Sequence, residues 1–200
     1  GATGTNLGVA NSTLGSRSLF SVTTGSDNVA IGNTTMYSNT VGSNNVALGA
    51  GAAYANTAAS FNVAVGVSAL RLQSFDNGGI TYSPGNTAID YESLYTNNPT
   101  AIDNGNRNTA IGYQSLRANT TGTNNIALGY QSLISNSTGA NNIAIGNEAL
   151  RTMTIRSKFI AIGDSALATT NATQPSVAVG YKTLRLAVIG SRNTAIGTEA

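Results

Sequence analysis

Apolar residues recur along this chain in short alternating bursts, separated by small and polar residues. Each burst reads Asn-x-Ala-(Ile/Leu/Val)-Gly, with Leu four residues after the Gly. It opens at Asn28, Asn45, Asn62, Asn86, Asn108, Asn125, Asn142, Phe159, Ser176 and Asn193, and a weaker copy opens at Asn6. The steps between successive openings are 22, 17, 17, 24 and 22, then 17 five times over. A 17-residue unit is therefore written into the chain. Helical repeats need about 33 to 47 residues for their two helices, so the unit predicts a coil of two short strands and two turns. In Asn142-Ile143-Ala144-Ile145-Gly146 the two Ile share one face and Ala144 and Gly146 share the other. Residues 147–150 predict a second strand with Leu150 inward. Asn39-Thr40-Val41-Gly42, Asn119-Thr120-Thr121-Gly122 and Asn136-Ser137-Thr138-Gly139 are turn signatures, in which Gly permits a positive φ and Asn and Thr bond locally to the backbone.

Stacked coils of this kind make an all-β parallel β-solenoid, or β-roll, in which each strand bonds to its counterparts above and below. The whole of 1–200 reads as one tandem-repeat domain of about eleven coils, a fragment of a longer fibre. With the large apolar residues inward, the expected core is Ile31, Leu48, Ile111, Leu116, Leu128, Leu133, Ile145, Leu150, Ile162 and Leu167. The opening Asn residues form a ladder of amides, each bonding the next, which makes them scaffold. Ala30, Ala47, Ala64, Ala110, Ala127, Ala144, Ala161, Ala178 and Ala195 are then expected outward. So small a face allows close backbone approach, and a single thin roll buries little apolar surface against the entropy of ordering it. These alanines are accordingly expected to face other chains.

The motif, as it stands in 125–129 and 142–146, resembles the head repeat of trimeric autotransporter adhesins, and it is also similar to repeats of phage and phage-like tail fibres. The resemblance covers the chain from Asn6 to Ala200 and weakens at Asp90 and Phe159, which replace the Gly and the Asn. It implies a left-handed β-roll assembled as a homotrimer on a cell or particle surface, hence extracellular. The unit of that family is commonly shorter than the one repeated here.

Composition narrows the chemistry. Ten basic against eight acidic residues give a net charge of +2, only 9% of residues are charged, and there is no His, Cys or Trp. No basic run interleaved with aromatics points to nucleic acid, and no stretch approaches the roughly 20 apolar residues of a membrane-spanning helix. Without His or Cys, Ser and Thr lack an activating partner, so the chain is expected not to be an enzyme and to need no cofactor or metal. Asp76, Asp90, Glu92 and Asp103 gather where the spacing lengthens, and solvated turn carboxylates are favoured there over a hard-cation site. An ice-binding solenoid would want a regular Thr array, yet Thr follows the opening residue only at Thr87, Thr109 and Thr194.

Recognition is expected where coils bulge. Beside the eight-residue pattern of 117–124, the segments 15–27, 71–85 and 95–107 are long, and all fall at one corner of the repeat. Insertions in repeat proteins map to loops on one face, often the binding face. Phe20, Phe75, Tyr82 and Tyr95 are the candidate contacts for a surface glycan or protein receptor, with the alternative that Phe20 and Phe75 fold back as plugs. Tyr91, Tyr113, Tyr130 and Tyr181 follow the motif and are placed to stack, while Arg117, Arg151 and Arg185 repeat every second coil. The expected function is a structural and adhesive fibre segment; a purely structural spacer is the alternative.

Overall fold

The computed structural model describes residues 8–169, 174–186 and 192–200. Eleven three-residue strands carry the fold: β1 (Ser12–Leu14), β2 (Val29–Ile31), β3 (Val46–Leu48), β4 (Val63–Val65), β5 (Thr87–Ile89), β6 (Thr109–Ile111), β7 (Ile126–Leu128), β8 (Ile143–Ile145), β9 (Ile160–Ile162), β10 (Val177–Val179) and β11 (Thr194–Ile196). They form one parallel sheet in chain order, one strand per turn of a β-solenoid, and no helix occurs among the described residues. The register never slips. Val63 pairs with Thr87 and Thr87 with Thr109, so the two longer intervals are absorbed outside the sheet.

The first turn corrects the sequence alignment. Ser12 pairs with Val29, which puts Asn11 opposite Asn28 and gives the first interval the same length as the regular ones. Asn6 lies outside the described residues. Segment 15–27 is thus an ordinary turn and carries no insertion.

The faces of the strands are the reverse of the expected ones. Ala30, Ala47, Ala64, Ala110, Ala127, Ala144, Ala161 and Ala178 are buried inside the roll and cannot face another chain; Ala195, in the last strand, is half-exposed. Ile31, Leu128 and Ile162 are exposed, at 41%, 41% and 37%, and Leu48, Ile111 and Ile145 are half-buried. The reason lies in the period of two. The opening Asn, the Ala and the Gly share a face, and Asn28, Asn108, Asn125 and Asn142 are fully buried. The amide ladder needs the dry side, and it takes Ala and Gly with it. The turns stack too closely there for anything larger than Gly: a Cβ on Gly129 would stand 2.6 Å from the carbonyl oxygen of Gly146 on the next turn.

Bulk enters from the other wall. Leu116, Leu133, Leu150 and Leu167 are buried as expected, together with Leu19, Met36, Leu70 and Leu94. The segment bearing them is not a strand. Gln114 and Leu116 have φ of 55° and 51°, and the equivalent residues of other turns repeat this. The backbone thus places a left-handed residue at every second position while still bonding turn to turn: Gln114 N–H donates to Tyr91 O at 2.9 Å, and Leu116 N–H to Ser132 O at 2.9 Å. A left-handed conformation costs an L-residue about 1–2 kcal/mol, and burial of one large side chain per turn offsets it.

Two amide ladders, not one, run through the interior. In the first, Asn28 Oδ1 accepts from both the backbone N–H and the Nδ2 of Asn45, each at 3.0 Å; the column continues to Asn142. In the second, Asn56 donates to Asn39 Oδ1 at 3.0 Å, Asn97 to Gln73 Oε1 at 3.3 Å, Asn119 to Asn97 at 2.8 Å and Asn136 to Asn119 at 3.0 Å. The columns adjoin, because Asn108 and Asn119 both donate to the Gly122 carbonyl. They also stop together. Met153 takes the next place in the second column and Phe159 in the first, and both are buried. Asn136 Oδ1 is left without a partner.

Candidate recognition surface

The insertions at 71–85 and 95–107 follow β4 and β5 and so lie on neighbouring turns. They touch: Ser74 Oγ donates to Asn98 Oδ1 at 2.9 Å, and Arg107 N–H to Pro84 O at 2.8 Å. The result is a single ridge on an otherwise even roll.

Tyr82 is not part of its surface. Its backbone bridges to Ala59 on the preceding turn, and its ring is buried with Ala58 and Ala59, while Val41 and Phe75 pack against them. Phe75 meets it edge-on at 5.3 Å. The phenol receives a hydrogen bond from Gln73 Nε2 at 3.4 Å, and burial pushes its pKa up to about 12. Gln73 is the residue that stands in the second amide ladder, so the loop is sewn into the core. The expectation of Tyr82 as a binding residue is therefore corrected: a Pro-Gly-containing segment with two aromatics, Phe75 and Tyr82, could not distinguish a plug from a contact. Phe20 and Tyr95 are corrected in position. Each directly follows the buried residue of a regular turn and lies in no loop extension.

That position forms a column of its own. Phe20 stacks on Tyr37 and Tyr37 on Tyr54, each at 5.2 Å; the Arg71 guanidinium covers Tyr54 at 4.7 Å, and Arg117 covers Tyr95 at 5.2 Å. Four residues earlier in each turn, Tyr91, Tyr113 and Tyr130 stack at 5.3 and 5.4 Å. Because the ring faces are spent on each other, these columns present edges and hydroxyls to solvent. Between them Glu92 accepts from Arg117 Nε at 2.7 Å and Gln114 Nε2 at 3.0 Å. Burial raises the Glu92 carboxyl, but these hydrogen bonds and the Arg117 charge outweigh it and hold the group below the usual range.

The ridge's exposed apolar groups escaped the sequence reading. Ile80 is 65% exposed and Ile102 57%, and Phe61, on the turn below, is 56% exposed. Asp76 and Asp103 are exposed beside them, whereas Asp90 and Glu92 belong to the regular wall after β5. Among the described residues no group of three or more His, Cys, Asp or Glu is placed to hold a metal, and no helix is long and apolar enough to cross a membrane.

The second surface is the sheet itself. Val46, Ile126, Ile31, Leu128, Ile162 and Ile196 point out of it, each between 36% and 74% exposed. Two columns of Val, Ile and Leu side chains run its length, broken in one column by Ser12, Thr87, Thr109 and Thr194.

These features define the class: a parallel β-solenoid repeat protein with an apolar sheet face and one lateral ridge. Comparison with protein-family models, with curated proteins and with solved structures finds no match to the chain.

Proposed function

We propose that the chain is a structural and adhesive segment of a homotrimeric fibre displayed on a cell or particle surface, with the sheet face turned toward two further copies of itself. The observation that carries this is the pair of outward apolar columns. Eleven strands at about 4.8 Å make a face about 50 Å long, and a soluble monomer seldom keeps so continuous an apolar strip in water. The partner surface moves from the alanines to the Val, Ile and Leu columns; the resemblance to autotransporter heads supports the number three. Attachment to a glycan or protein belongs to the ridge, where Ile80 and Ile102 stand among polar neighbours. The even, uninterrupted turns after β6 favour a second reading, a plain spacer.

Light scattering on the purified chain should report three copies. Ile126→Asp with Ile145→Asp places charge on the shared face, so it should release folded monomers and leave the roll intact. A stable, monodisperse wild-type monomer would overturn the trimer. Ile80→Ser with Ile102→Ser should lower attachment to target surfaces while assembly is unchanged; undiminished attachment would favour the spacer.

A further inference from the structure

The tripeptide Asp-Asn-Gly occurs twice in the chain, at 76–78 and at 103–105, once in each half of the ridge. The two copies share local sequence and differ in surroundings. In the second, Asn104 Oδ1 accepts from Thr100 N–H at 3.0 Å, its Nδ2 donates to Thr100 Oγ1 at 3.1 Å, and Gly105 N–H donates to Thr121 O at 3.0 Å. Gly105 is also crowded: a Cβ there would lie 2.8 Å from Pro99 and 3.2 Å from Asn97. In the first copy, neither the Asn77 side chain nor the Gly78 N–H is engaged. Gly78 and Gly79 have φ of 63° and 75°, and nothing lies within 4 Å of the space a Cβ would occupy on either. Only the turn's ends are tied, by Ile80 N–H to Asn77 O at 3.1 Å and Gly79 N–H to Asp76 Oδ1 at 2.9 Å.

We propose that Asn77 is a self-modification site: the open Asn77–Gly78 turn converts spontaneously through a succinimide to aspartate and isoaspartate, while Asn104–Gly105 is protected. Hydroxide removes the Gly78 amide proton, and the nitrogen attacks Asn77 Cγ. The new C–N bond closes the five-membered ring, and the side-chain nitrogen departs as ammonia. Water then opens the ring at either carbonyl, so the net change is amide plus water to carboxylic acid plus ammonia. No enzyme or oxidant enters. A glycine after the asparagine leaves the attacking nitrogen unshielded, and a turn of two glycines can take the conformation that attack requires. The second site must first break its hydrogen bonds, a local opening with its own free-energy cost. The product places a new carboxylate next to Asp76 and, in the isoaspartate form, lengthens the main chain at the tip of the loop, so the ridge gains negative charge with age.

The test is incubation of the intact folded chain at mildly alkaline pH, followed by peptide mapping for the mass gain of an amide-to-acid exchange and by isoaspartyl methyltransferase labelling. The Asn77 peptide should convert at least an order of magnitude faster than the Asn104 peptide, and faster as pH rises. In denaturant the two should convert at similar rates, which removes sequence as the cause. Gly78→Ala should slow conversion in the folded chain, and Asn77→Gln should abolish labelling of that peptide. Equal rates in the folded chain, or faster conversion at Asn104, would overturn the proposal.

Discussion

Asn108 and Ala110 stand two residues apart and so lie on one side of β6, and that relation decides the whole cross-section. The alternation of the motif was plain in the sequence; its direction was not. Ranking side chains by apolarity sends Ile145 inward, whereas an unpartnered amide is far costlier to bury than a methyl is to expose. Once the ladder is granted, Asn142 must be inside, and Ala144 and Gly146 follow it. The Leu column was legible because no amide competes for its side of the wall. Asp90 shows the same logic at single-residue resolution. It occupies a glycine position at φ of 98°, where its neighbours in the column lie between 123° and 136°, and its carboxylate accepts the Tyr91 N–H at 2.7 Å. That one bond offsets only part of the backbone strain. Asp90→Gly should therefore stabilise the chain by about 1 kcal/mol, read as a rise in the midpoint of thermal or denaturant unfolding.

At the scale of elements, the turn is a closed circuit of one strand, one left-handed wall and one amide corner. Only the strand announces itself by period. The wall after Gly carries no alternation that a strand would need, and its repeated positive φ at Leu116, Leu133 and Leu150 has no compositional signal. The second ladder was visible only as turn residues: Asn39, Asn119 and Asn136 do bond the carbonyl three residues on, as Asn136 does to Gly139 at 3.1 Å, but they also bond each other. The long loops were found by counting, and their buried Tyr82 was not, because Gln73 standing in for Asn gives no hint of the phenol it holds. Met153 and Phe159 are the matching exception at the amide corner. Phe159→Asn should destabilise by about 2–4 kcal/mol through the lost ring, whereas Met153→Asn gives Asn136 Oδ1 the donor it lacks and should cost less. The double variant should restore the columns and recover at least about 1 kcal/mol relative to the sum. Additive losses in denaturant titrations would mean that the two sites are independent.

Over the whole molecule, a solenoid's stability is close to a sum of nearest-neighbour terms between turns, so a single faulty junction matters more than it would in a globular core. Spacing alone made the architecture legible, since so short a repeat leaves room for little else; assembly partners and receptor are not encoded in a period. The seam left by Met153 and Phe159 has a mechanical consequence. In the proposed role the roll is loaded along its length, and a chain under tension gives way where adjoining turns hold each other least. The turns before that seam are laced by one continuous column of asparagines and by a second that breaks only between Asn56 and Gln73; from the seam onward the first column's place is held, among the described residues, by Phe159 N–H to Asn142 Oδ1 at 3.0 Å and Asn193 N–H to Ser176 Oγ at 3.3 Å. Drawn out from its C-terminal end, the chain should shed the turns beyond residue 153 at low force and then resist, so that this end acts as a fuse that lengthens before the body of the roll yields. Single-molecule pulling should record an early, low-force extension separate from the later ones, and the double Asn variant should merge the two.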